Sequence, residues 1–404
     1  MELHPILSAM RRNKVGAIVI VMQTAITLAI LCNSLFIIQQ RLRSSERPTG
    51  LREQDIFTIA NQWVGNPPDL AAKLQTDLAA LRALPEVVDA YVSNSYPLSN
   101  GGWDDAIMME ASDAHWAATG ALYFADEHGL PTLGLKLVSG RNFEPAEIIE
   151  RNDMEGKAPA ALIVSQALAT KLFPNGDALG KSIYLSDYKQ KSPIVGIVER
   201  LQQPWISVAN KRVEFAMLQP FRYVEHYSNY VVRAKPGQIE AAMKSAAKQL
   251  SAIDRARVNE RTRTMTESRR RAYQDDRGLA VILGVVSVVL LIVSAFGIIG
   301  ITSFWVSQRR RQIGIRRAMG ATRTAILRYF QTENLMIATT GAVLGVLLAL
   351  GLNFWMAGKF EMSRISVSST VVAAVIVLLL GQLAVLWPAL RAASISPVVA
   401  IRNS

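Results

Sequence analysis

The chain has 404 residues, half of them hydrophobic, a formal charge of +12 and a single cysteine, Cys32. A basic excess of that size invites a nucleic-acid reading, yet the apolar residues gather into four charge-free runs that no soluble core needs. One cysteine excludes any disulfide framework, so each folded part must hold on its own apolar core.

The opening MELHPILSAMRRNK spaces Leu3, Ile6, Leu7 and Met10 as on a helix, with cations following. It reads as a short helix lying on the inner membrane surface, a disordered terminus being the alternative. The first apolar run, 15–38, is 24 residues long. That exceeds the roughly 7–15 of a secretory signal core, and no A-x-A site follows, so it is read as an anchor. LAILC faintly resembles a lipoprotein box, but bulky Leu31 stands where a small residue is needed.

After this run the sequence alternates helix and strand signals. PDLAAKLQTDLAALRAL has an Asp69 cap and apolar spacing of three and four, which predicts a helix over 68–84. VVDAYVS, 87–93, reads as a strand. A strand at 161–164 leads into a short helix from Gln166. KSIYLS, SPIVGIVE, VEFAML and NYVVRAK read as four further strands, and 238–253 as an amphipathic helix. Strands and helices without strict alternation predict an α+β domain.

Two chemical readings fail within it. GDALGKS, 176–182, resembles a phosphate-binding loop but has three residues between its glycines where four are needed, so it reads as a turn before a strand. Asp126, Glu127 and His128 could share a metal, but adjacent residues on a turn are more often solvated, and His4, His115 and His226 are scattered. No G-x-S-x-G elbow occurs. The reading is of no catalytic residue and no metal.

The segment 257–278, dense in both signs, runs straight into the second apolar run, 279–306. Its 28 residues would rise about 42 Å against a hydrocarbon core near 30 Å. A charged helix continuous with the span, forming a stalk, is expected; a flexible linker is the alternative. The third and fourth runs are 335–358 and 367–390. All four reach the roughly 20 residues a spanning helix requires. Gly297 and Gly300 in the second, and the G-x-x-x-G of Gly341 and Gly345 in the third, are small residues that allow close helix approach, within one subunit or between two. Gln23, Asn33, Asn353 and Gln382 are polar groups at membrane depth.

Between the second and third runs lies RRRQIGIRRAMGATRTAILRYF, 309–330, with seven arginines and no acid. Twenty-two residues between two spans do not make a nucleic-acid-binding domain. A short amphipathic helix stopped at Gly320, then a second starting near Thr322 and leading into the third span, fits the pattern. Its arginines face phosphates or an acidic protein surface, or serve only as an anchor. The arginine loop carries +7, the N-terminal segment +2 and the tail from Arg391 +2, while the turn after the third span, counted together with Glu333, sums to zero. That leaves +1 for 39–278. The basic ends are therefore expected inside, with both termini, and residues about 40–277 outside.

These residues also carry a resemblance. RRRQIGIRRAMGATRTAILRYFQTENLMIATTGAVLGVLLAL is similar to the signature region of MacB/FtsX-like ABC transporter permeases, and LSAMRRNKVGAIVIVMQTAI resembles their first span. LGLKLVSGRNF, IVSQALATKLFPNGDALGKSIYL and IVGIVE resemble the family's extracytoplasmic core domain, and PALRAASISPVVAIR its C-terminal end. Gln312 stands where the family usually has Glu, and the terminal IRNS lacks the usual acidic residue. The resemblance implies a membrane protein of four transmembrane helices with a large α+β extracytoplasmic domain inserted between helices 1 and 2. Its expected parts are 1–40 (interfacial helix and first span), 41–256 (extracytoplasmic domain), 257–306 (stalk and second span), 307–330 (cytoplasmic coupling loop) and 331–404 (last two spans and tail).

It further implies an ATPase-docking helix made of Arg309, Arg310, Arg311, Gln312, Ile313, Gly314, Ile315, Arg316, Arg317, Ala318, Met319 and Gly320. No nucleotide-binding motif occurs in these residues, so ATP and Mg are expected in a separate ABC ATPase subunit, and no cofactor in this chain. The other expected partners are a second permease copy or paralogue, with a periplasmic adaptor and outer-membrane duct where the route is completed, and no nucleic acid. Export of a peptide, antibiotic or lipid-linked cargo from a bacterial inner membrane is the leading function. A scaffold activating a cell-wall hydrolase, or a sensor, is the alternative.

Overall fold

A computed structural model describes residues 14–65, 68–111, 115–150, 157–206, 212–360 and 365–394. The expected interfacial helix at the N-terminus and the tail beyond 394 lie outside the described residues. The chain divides into a unit of Ser45–Asp275 and a second made of Met1–Ser44 and Asp276–Ser404.

The Ser45–Asp275 unit begins with β1 (Ile56–Trp63), whose residues are buried except Gln62. Helix α2 (Leu70–Arg82) follows, its first turn capped by the Asp69 carboxylate accepting from the Ala72 N–H at 3.0 Å. Strands β2 (Val87–Ser93), β12 (Tyr227–Ala234) and β13 (Arg257–Thr264) complete a four-stranded antiparallel sheet in the order β13-β1-β12-β2. Alternation sends Phe57, Ile59, Tyr230 and Val232 to one face, under α2 and α5 (Ile239–Ile253), with Leu74, Leu78 and Leu250. Ile56 and Val231 point the other way into a core shared with a second sheet.

That second sheet has seven strands in the order β5-β9-β7-β10-β4-β3-β8: β3 (Trp103–Met108), β4 (Ala118–Phe124), β5 (Leu137–Gly140), β7 (Leu162–Ser165), β8 (Ser182–Leu185), β9 (Lys191–Val198) and β10 (Ala216–Gln219). Strand β8 also pairs with β9, closing the sheet on itself. Helix α3 (Gly129–Leu133) packs on β2, and α4 (Gln166–Leu172), capped by Ser165, covers the sheet's other core with Leu168 and Leu172. Strands β6 (Ile149–Glu150) and β11 (Phe221–Arg222) form a two-residue ribbon. The glycines of GDALGKS turn the chain with φ of 81° and 78° just ahead of β8, as expected of a turn.

The expected stalk is corrected here. Its first eight residues are β13, paired along β1, and helix begins only at α6 (Met265–Ala272), entered through a Thr264/Glu267 capping box. Arg257 is the physical reason. It lies 1% exposed against Asp77 at 0%, and this bidentate pair fixes the start of the strand beneath α2. The unit thus continues to Asp275, past the expected boundary at 256.

The other unit contains four helices long and apolar enough to cross a membrane: α1 (Lys14–Ser45), α7 (Gln274–Gln308), α9 (beginning at Arg323) and α10 (Val367–Ala393). They hold all four charge-free runs. Helix α7, at 35 residues, would rise about 52 Å. Its first turn carries Asp276, which is bonded by Arg41 near the end of α1. A second correction concerns Glu333, counted in the sequence with the turn after the third span. It bonds Arg309 at the arginine-rich end of the helices, because α9 begins twelve residues before that apolar run. Charge on that side is accordingly +6 in the loop, and the turn after α9 carries +1.

Candidate coupling site

The arginine run folds as α8 (Arg310–Ala318) followed by a tight stop. Gly320 adopts φ 98°, the Gly320 N–H donates to Arg317 O at 3.1 Å, and the Ala321 N–H donates to Arg316 O at 3.0 Å. These two bonds satisfy the orphan carbonyls of the last turn, and the positive φ is open to glycine at no steric cost. Two residues later the Thr322 hydroxyl accepts from the Ala325 N–H at 3.1 Å and starts α9. The helix, glycine stop and restart near Thr322 match the sequence expectation.

The helix has two sides. Ile313 and Gly314 are buried, with Ile313 packed among Trp305, Val306, Ile326, Phe330 and Ala389. Arg309 turns the same way: its Nη1 donates to both Glu333 oxygens at 3.0 and 2.9 Å. Arg317 donates from Nη1 to Ala393 O at 3.0 Å, satisfying a carbonyl at the end of α10 where a cation also suits the helix dipole. Arg310, Arg311, Gln312, Ile315, Arg316 and Ala318 are exposed, as are Met319 and Gly320. Gln312, Ile315, Arg316 and Met319 fall at helical spacing on one side, where Met319 is 77% and Ile315 42% exposed. The Arg316 guanidinium stands 5.2 Å over the Tyr329 ring, held beside the apolar pair.

Of the twelve residues expected to dock a partner, four therefore face inward or hold the corner: Arg309, Ile313, Gly314 and Arg317. Glu333 is the group that sequence reasoning missed. The signal was its isolation as the single carboxylate between Asp276 and Glu361, at the head of an apolar run.

The packing glycines also separate. A Cβ on Gly341 would stand 2.8 Å from Val21 O, and one on Gly345 2.8 Å from Ala25 O, so the G-x-x-x-G seats α9 directly on α1. A Cβ on Gly297 would meet the Gln23 amide at 2.5 Å, where Gln23 donates to Val293 O. Gly300 has nothing within 4 Å and opens on an apolar groove bounded by Val19, Ile301 and Phe304. Asn33 donates to Ala29 O, and Asn353 accepts from the Ile365 N–H.

Comparison with known families places these features together. The MacB-like periplasmic core domain family matches residues 17–250, more than half of the chain, and the FtsX-like permease C-terminal family matches residues 284–397, which contain all of α8. The chain belongs to the MacB/FtsX-type ABC transporter permeases. This permease is 28% identical over 283 residues to the macrolide export ATP-binding/permease protein MacB of Chromobacterium violaceum, a match covering 66% of the chain and 41% of that protein. It is 24% identical over 298 residues to the ABC transporter permease YvrN of Bacillus subtilis, covering 70% and 69%. The match thus spans less than half the length of that MacB relative. Among solved structures, the periplasmic region of MacB from Actinobacillus actinomycetemcomitans aligns with a TM-score of 0.34 and 15% identity, covering 56% of this chain and 95% of that one.

Proposed function

We propose that this permease couples ATP binding and hydrolysis by a separate ABC ATPase subunit, which holds ATP and Mg, to movement of an extracytoplasmic domain inserted between its first two membrane helices. The carrying observation is the exposed side of α8, where Ile315 and Met319 stand among Arg310, Arg311 and Arg316 on a helix fixed from behind. An apolar knob ringed by cations fits a groove that is apolar at its floor and acidic at its rim. Arg309–Glu333 and Arg317–Ala393 O stiffen the corner, so a force on α8 passes into α9 and α10 without bending it. The chain also runs from β13 through α6 into α7 with no more than one residue between successive elements. In the proposed arrangement the membrane is the bacterial inner membrane, both termini are cytoplasmic, a second permease copy or paralogue completes the pair, and the work done is export.

The test is purification from native membranes in mild detergent with mass spectrometry of stoichiometric partners. The wild-type chain is expected to bring down an ABC-type ATPase, and Arg316→Glu with Met319→Asp to lower its recovery about tenfold or more while the permease stays folded. Arg317 is left intact because it holds Ala393 O. Unchanged ATPase recovery in the double variant overturns the assignment.

A further inference from the structure

We propose that a cleft in the Ser45–Asp275 unit binds a small ligand bearing a carboxylate or phosphate on a flat ring body, with Arg261 and Arg263 holding the anion and aromatic side chains holding the ring. The site lies wholly within that unit and does not depend on what docks on α8.

The sheet register builds it. Arg261, Ala60 and Asn229 form one cross-strand row, and Arg263, Thr58 and Val231 the next. Both rows lie on the face opposite Phe57 and Ile59, away from α2 and α5. Ala60 is small, so a hollow of about 300 Å³ remains over the sheet. That is the low end of small-molecule sites. The loop from Asn94 to Gly102 roofs it; there Ser95 bonds Gly101 O and Ser99, and Leu98 and Asn100 are held at φ 68° and 60°. A buried leucine in that region is strained, and the surrounding structure must fix it. Thr58 and Asn229 give the floor polar atoms.

Charge is what separates this cleft from an ordinary crevice. Elsewhere in the unit Arg82, Arg141, Arg257 and Arg269 each meet a carboxylate. Among the described residues, Arg261 and Arg263 meet none, and no carboxylate lines the cleft. Two residues apart on one strand, they spring from backbone points about 6–7 Å apart on one face of the sheet, and a planar fork from each suits a carboxylate or phosphate. The lining is also aromatic. Trp103, 44% exposed, lines the cleft with Tyr96, Tyr223 and Tyr227, and its ring is fixed edge-on to Phe124 at 5.6 Å and Tyr223 at 5.9 Å. Cations that hold an anion and exposed aromatic rings in the same cleft select a ring carrying an acidic group over a bare ion or an apolar solute.

The experiment titrates the full-length protein in detergent by calorimetry with N-acetyl-L-tryptophan and with phenyl phosphate. N-acetyl-L-tryptophanamide serves as the control, with the same ring and no charge. Both anions are expected to bind, with the amide about tenfold to a hundredfold weaker, the loss set by one or two charged hydrogen bonds. The tighter anion identifies the carboxylate or the phosphate source. Arg261→Gln with Arg263→Gln is expected to reduce both anions to the level of the amide, with the circular dichroism spectrum unchanged. Failure of both anions to bind at millimolar concentration, an amide as tight as the anions, or full binding by the folded double variant each overturns the proposal. Should that variant not fold, the amide comparison on the unaltered protein decides.

Discussion

Asp77 brings a carboxylate to zero exposure beneath α2, and both of its oxygens are engaged. Arg257 donates to them at 2.6 and 2.8 Å, and the Tyr230 hydroxyl donates to one at 2.6 Å. The guanidinium in turn lies 4.2 Å over the Trp63 ring. Arg257→Met leaves a buried charge alone and is expected to destabilise the unit by about 3–5 kcal/mol. Urea unfolding followed by tryptophan fluorescence measures this, and adding Asp77→Leu should recover much of the loss. A second guanidinium, that of Arg269, donates to both Glu53 oxygens and to the carbonyls of Ser45 and Arg47. Burial pushes the Glu53 carboxyl up, but hydrogen bonds from Arg269 and Thr49, with the guanidinium's charge, outweigh it and hold the group below the ordinary carboxylate range. The folded state therefore favours the ionised form. Its contribution is complete above the ordinary glutamate range and is lost as pH falls through the lowered value. Glu53→Gln is expected to cost about 1–2 kcal/mol at neutral pH and to flatten the loss of stability on acidification, read from thermal unfolding across a pH series.

At the scale of elements, the small residues of the membrane helices do different work. Gly341 and Gly345 meet α1 backbone oxygens, whereas Gly300 meets nothing. Gly345→Leu is expected to force α1 and α9 apart and abolish accumulation of folded protein, while Gly300→Leu accumulates at the wild-type level. Fluorescence-detected size-exclusion of tagged variants separates the two outcomes, and equal behaviour would contradict the packing described. The helix α8 was legible in sequence because an apolar period, Gly320 and Thr322 are all local signals. Strand β13 was not. Its sequence, RVNERTRT, is polar on both faces and carries no apolar period, so it reads as solvated helix or linker. It becomes a strand because β1 offers it an unpaired edge and Asp77 a partner for Arg257, 180 residues apart in sequence. Strands β3 and β4 were likewise unmarked by sequence, although their pairing forms one side of the larger sheet.

On the scale of the whole molecule, the division at Ser45 and Asp275 leaves three apolar cores inside one unit, from Ile56 to Tyr273. The strand nearest its start, β1, pairs with the strand nearest its end, β13, so the termini of the unit are tied by the sheet itself. Residues 45–275 produced alone are expected to be soluble without detergent and to unfold in one cooperative transition by calorimetry. Aggregation on purification would show that the membrane helices are needed for its folding.

Sequence by itself determined the four long apolar helices, α8 with its stop, and the helices around 70–82 and 239–253. Each rests on the transfer of a continuous apolar run out of water, or on a period and a cap within a few residues, and such signals survive without knowledge of the rest of the chain. Only the tertiary structure decided that Glu333 receives Arg309, that Arg317 closes the end of α10, that 257–264 is a strand, and that Arg261 and Arg263 share a cleft with Trp103. Those are meetings of polar groups from distant segments. Their energies depend on burial and geometry that exist only once the chain has folded.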